Sequence, residues 1–124
     1  MTVTSQEAMD RLDGISREMG ALSGALHKVS QLLEEADKPY SEFVDVFEVG
    51  LWLKCQEDDG PRWPSEAMRV KLARREMPAE LLGRRDGLVR KRDRIKQRIA
   101  DLKAMADADR SILSALKVEI EATR

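Results

Sequence analysis

Seven apolar residues in the first third of the chain, Leu12, Ile15, Met19, Leu22, Leu26, Val29 and Leu33, follow one another at steps that alternate three and four without a break. That is heptad spacing, and it commits the segment to a helix with one narrow apolar stripe. Such a stripe is too thin for the middle of a large globule and buries itself against another helix. A second series fills the C-terminal third: Leu81, Arg85, Leu88, Arg92, Ile95, Ile99, Leu102, Ala106, Asp109, Leu113, Leu116 and Ile120. Polar residues interrupt it at Arg85, Arg92 and Asp109, and polar seam positions set register or oligomeric state at some cost in stability. Pro78 suits the first turn of this helix, where a missing N–H does no harm. A helix of about 45 residues from there would be ~70 Å long at 1.5 Å per residue.

The remaining punctuation divides the chain into three. Thr4 followed by Glu7 reads as a capping box that opens the first helix. Gly14, Gly20 and Gly24 lie inside that helix, each costing about 1 kcal/mol relative to Ala; they either let another helix approach closely or leave the helix locally weak. Lys38-Pro39 is expected to end it, since the residue before a proline is pushed out of the α region. A second helix, about 39–56, then carries Tyr40, Phe43, Val44, Phe47, Leu51, Trp52 and Leu53. Glu57 to Pro61 is a turn on composition, and a short helix follows over about 65–76 with Met68, Leu72 and Ala73 facing inward. The expected fold class is all-α: long heptad-patterned helices, as a coiled coil or helical bundle, with a short aromatic-rich helical core. The expected segments are 1–38, an N-terminal heptad helix; 39–77, the aromatic-rich core with its acidic turn; and 78–124, a long C-terminal heptad helix with a basic N-terminal half.

Composition narrows the function classes. The 124 residues are 36% charged, 42% hydrophobic and only 4% aromatic, a mix suited to long helices with solvated faces. The formal net charge of -1 hides an asymmetry. Residues 1–64 hold 6 Lys/Arg against 13 Asp/Glu, while residues 65–124 hold 16 against 10. An acidic half and a basic half invite self-association or an anionic partner for the basic side. A lone Cys55 forms no internal disulfide and reads as a small structural hydrophobe. No signal peptide and no membrane-length apolar run is visible, so the expected location is cytoplasmic, with no membrane partner.

Catalysis requires groups whose pKa values are driven apart by their surroundings, and no such pair is legible. His27, the single histidine, flanks the first seam. One Cys and one His make no zinc site, the glycines form no phosphate loop, and Asp58-Asp59 reads as a solvated turn. The expectation is a non-enzyme without cofactor or metal.

The basic stretch carries more information. Residues 69–98 contain twelve cations against four carboxylates, nine of the twelve being arginine, whose planar fork grips phosphate oxygens with two parallel bonds. Arg84, Lys91 and Arg98 recur every seven residues with Arg90 and Arg94 alongside, which is the footprint of a nucleic-acid binder. The alternatives are a solvated helix face, or a face that docks on the acidic N-terminal half of the same or a neighbouring chain. Trp63, between Arg62 and Pro64, is a candidate base-stacking residue, although anchoring a core is the commoner use of tryptophan. No base-reading module is present, so binding would be independent of sequence.

The helix Tyr40-Ser41-Glu42-Phe43, then Ser65 to Ala73 (SEAMRVKLA), then a long Leu-, Ile- and Arg-rich helix to the end, together resemble the UvsY-type recombination mediators of tailed phages and the small helical proteins of phage recombination cassettes. The likeness covers about residues 40–120 and is one of pattern; the N-terminal heptad helix has no counterpart in it. It implies binding of single-stranded DNA, assembly into homo-oligomeric rings, and help to a recombinase in displacing single-strand-binding protein. It also implies that Arg69, Lys71, Arg74 and Arg75 contact the strand. The expected nucleic-acid-binding set is therefore Arg69, Lys71, Arg74, Arg75, Arg84, Arg90, Lys91, Arg94, Arg98 and Trp63. Leu22, Leu26, Leu88, Ile95, Ile99, Leu102, Leu113 and Leu116 are the expected oligomerisation residues, because a single copy has too little apolar surface to bury both seams fully. The expected partners are further copies of the chain, single-stranded nucleic acid, and a recombinase or single-strand-binding protein. The competing expectation is a coiled-coil adaptor or assembly chaperone that binds another protein and no nucleic acid.

Overall fold

A computed structural model describes residues 4–123, and the expected helix ends at 1–3 and 124 lie outside them. Three helices make up the described chain, with no strand among the described residues: α1 Ser5–Cys55, α2 Glu66–Glu76 and α3 Ala79–Ala122. Local chemistry accounts for their ends. The Thr4 hydroxyl accepts a hydrogen bond from the Glu7 amide at 3.2 Å, satisfying one of the orphan donors at the start of α1. After α1 the chain folds back so that the Gly60 amide donates to the Glu57 carbonyl at 2.9 Å. A Cβ at position 60 would collide with the Lys54 carbonyl, so only glycine fits. Ser65 caps α2 by accepting from the Met68 amide. Met77, which precedes Pro78, is extended at φ -70 and ψ 139, the conformation a following proline imposes; it separates α2 from α3.

One expected boundary is absent. Helix α1 runs straight through Pro39, so residues 39–56 are the continuation of the first helix and not a second one. Proline removes one hydrogen bond and disfavours helix in the residue before it. Tertiary contacts on both sides outweigh that here: Ala36 is buried, Asp37 is paired with Arg85, and Tyr40 is half-buried, while the Pro39 ring itself lies exposed.

The chain forms two compact units, and they do not follow the three expected segments. The first joins the chain up to Lys28 with the chain from Arg92 onward; the second is Val29–Lys91. In the first unit the α1 and α3 segments run antiparallel, since Arg11 meets Asp109 and Glu18 meets Arg98. Its core is Ile15, Leu102 and Ala106, with Leu12, Met19 and Leu22 packed on them. Within this unit the two seams thus cover each other. That corrects the placement of Leu102 among oligomerisation residues: it is 1% exposed and already covered. Asp109, 5% exposed, is the polar member of this seam. Arg11 reaches it with two bonds, Nη2 to Oδ1 at 2.6 Å and Nε to Oδ2 at 3.2 Å, so the buried carboxylate is neutralised in the bidentate geometry that suits guanidinium.

The second unit buries Val29, Leu33, Ala36, Ala73 and Met77. None of the five aromatic residues is among its buried ones. Tyr40, Phe43 and Phe47 are half-buried, and Trp52 and Trp63 are exposed. Glycine takes no part in close helix approach: nothing lies within 4 Å of where a Cβ would stand at Gly14, Gly20 or Gly24. Of the two readings of these glycines, the locally weak helix is the one the packing supports.

Candidate nucleic-acid interface

Helix periodicity sets which cations share a face. On α2, Lys71 and Arg75 are four apart and project together; on the part of α3 in the second unit, Arg84 and Lys91 are seven apart, with Arg90 beside them. All five are exposed. None of them takes part in an ion pair among the described residues. Arg94, in the first unit, is likewise exposed and without such a pair.

Three other members of the expected set are held inside the chain. Arg69 bonds Glu48 at 3.2 Å and the Pro64 carbonyl at 2.9 Å, and its guanidinium stacks 4.7 Å from the centre of the Trp63 ring. Arg74 grips Asp86 with both terminal nitrogens, at 2.6 and 3.2 Å, and donates to the Tyr40 hydroxyl at 3.1 Å. The Asp86 bond, and then the Tyr40 one, raise the Arg74 pKa further above its ordinary value. The same bond from Arg74, helped by Arg85, holds the Asp86 carboxyl below the usual carboxylate range. In the first unit Arg98 makes two bonds to Glu18, at 2.8 and 3.1 Å; they lower the Glu18 pKa and raise that of Arg98. Arg69 and Arg74 are thereby held by part-buried partners, whereas the Arg98–Glu18 pair is exposed and holds its arginine only weakly.

Trp63 also differs from its expected role. Its ring meets Trp52 edge-on, with centroids 5.1 Å apart and planes at 87°, and it borders a shallow depression with Asp45, Glu48, Val49 and Trp52. The Arg69 guanidinium, bonded to Glu48, already lies against this ring, so the ring is partly occupied as a stacking platform.

Four carboxylates absent from the expected set shape the site: Glu48, Asp37, Asp86 and Glu18 occupy arginines; Tyr40, expected in an aromatic core, instead carries two of those arginines, with Arg85 4.5 Å above its ring. The acidic N-terminal half was the available signal for Glu48, Asp37 and Glu18. Asp86 gave none, being one carboxylate inside the basic stretch.

The remaining inventory is sparse. His27 and Asp58-Asp59 are exposed, and Cys55 is half-buried at the end of α1. No cluster of metal-ligating side chains occurs among the described residues. No helix among them is long and apolar enough to cross a membrane. Compared with protein-family models, curated proteins and solved structures, the chain matches none.

Proposed function

We propose that the protein is a non-enzymatic, sequence-independent binder of single-stranded nucleic acid that works as an accessory to recombination. What supports this reading is one observation: five exposed cations of the second unit, Lys71, Arg75, Arg84, Arg90 and Lys91, remain without an ion pair among the described residues although carboxylates are abundant in the chain. Long, charged side chains left free on helix surfaces neutralise phosphates and release counterions. The absence of any base-reading motif in the sequence makes the binding blind to base identity. In this reading Lys71, Arg75, Arg84, Arg90 and Lys91 contact phosphates, and copies of the chain array along the strand.

The packing changes which substitutions test the idea. Arg74 belongs to an internal network, so replacing it would confound affinity with folding. Lys71 and Arg75 do not. The expected result is that a labelled single-stranded oligonucleotide binds at low salt, weakens steeply by physiological salt, and loses affinity when Lys71, Arg75, Arg84, Arg90 and Lys91 are replaced together by Ala with unchanged helicity. Fluorescence anisotropy with duplex competitor measures this. No binding at low salt would refute the proposal.

A further inference from the structure

The C-terminal part of α1 leaves an apolar face uncovered. Val46, Val49, Trp52 and Leu53 fall on one side of the helix at three- and four-residue steps, and Trp63 adjoins Trp52. These five side chains are 39–74% exposed. A contiguous exposed apolar cluster of this kind marks an interaction site.

The charge around the face selects its occupant. Asp45 and Glu48 line the depression beside the two tryptophans, and the stretch that carries the face, residues 42–63, holds six carboxylates and two cations, a balance of -4. Nucleic acid is repelled there, and so is an identical acidic face from a second copy. The chain already displays the chemistry that fits: the Arg69 guanidinium lies against the Trp63 ring while bonded to Glu48, a cation–π contact completed by an ion pair. Asp45 and the open faces of Val49 and Trp52 offer the same combination without an occupant. We infer that this face docks an apolar helical segment of another protein whose flanks carry arginine or lysine. An amphipathic helix laid on an apolar groove is an established mode of recognition. The inference concerns a surface separate from the phosphate-binding cations and stands whether or not nucleic acid binds.

Both tryptophans of the chain belong to this face, so intrinsic fluorescence reads its occupancy directly. The probe is an amidated helical peptide of leucine and arginine, about 18 residues or five turns long, titrated into the full chain without nucleic acid. The expected result is a saturable blue shift of tryptophan emission, absent with a peptide in which glutamate replaces arginine. Val49→Asp separates docking from mere attraction of opposite charges: it makes the face more acidic, yet is expected to weaken binding about tenfold or more by removing apolar contact. Equal or tighter binding by Val49→Asp, or equal binding of the glutamate peptide, would overturn the inference. So would no shift at all, or a shift that grows with the concentration of the protein alone, which would assign the face to a second copy.

Discussion

Each unit buries a small apolar core and leaves other large apolar residues exposed, Met9, Met105, Val118 and Ile120 in the first, but the two cores are built differently. The first places Ile15, Leu102 and Ala106 inside and completes the seam with a buried carboxylate that Arg11 neutralises. The second seals itself with Val29, Leu33, Ala36, Ala73 and Met77, and leaves Val46, Val49, Trp52, Leu53 and Trp63 largely in solvent. Burial of apolar area is the main favourable term in folding, so large side chains left outside contribute little to the fold. The comparison teaches that size and apolarity alone do not identify the core of a thin helical protein. What distinguishes the two regions is whether a matching seam exists elsewhere in the chain.

The sharpest way to break that contrast is Leu102→Ala. A side chain 1% exposed, removed from a three-residue core, is expected to cost roughly 2–5 kcal/mol, measured by urea denaturation followed by circular dichroism. Acid titration probes the polar side of the second unit. Because the folded pKa of Asp86 is depressed by Arg74, its contribution is fully present above its unfolded value, ~3.9, and is lost as pH falls through the lower folded value. Asp86→Asn is therefore expected to lower stability at neutral pH and to flatten the loss as pH falls below its unfolded value, read from melting temperatures in acid. The smallest effect is expected outside: Val46→Ser and Leu53→Ser, at positions 74% and 64% exposed, are each expected to change stability by no more than about 0.5 kcal/mol. A loss comparable to that of Leu102→Ala would show that these side chains belong to the core after all.

Much of the secondary structure was legible because its signals are local. Ser65 caps α2, Pro78 separates α2 from α3, and three-four spacing marks the helices; each acts within a turn or two of where it stands. Pro39 was misread because its penalty is local while the contacts that override it, Ala36 in the core and Asp37 on Arg85, come from distant parts of the chain. The candidate site was legible to a smaller extent for the same reason. Spacing along α2 and α3 brings Lys71 to Arg75, and Arg84 to Lys91, but only the folded chain reveals that Arg69, Arg74 and Arg98 are occupied by Glu48, Asp86 and Glu18. Trp63 followed suit: its neighbour in sequence is Arg62, whereas its neighbours in space include Trp52 and the carboxylates Asp45 and Glu48.

The Arg11–Asp109 pair ties together residues 98 positions apart. During synthesis Arg11 and Ile15 emerge well before the residues that cover them. At about 5–20 residues per second, the N-terminal seam waits some ~5–20 s for Leu102, Ala106 and Asp109 to follow it out of the ribosome. Throughout that interval the nascent chain displays a bare apolar stripe, and a neighbouring nascent copy on the same message displays an identical one.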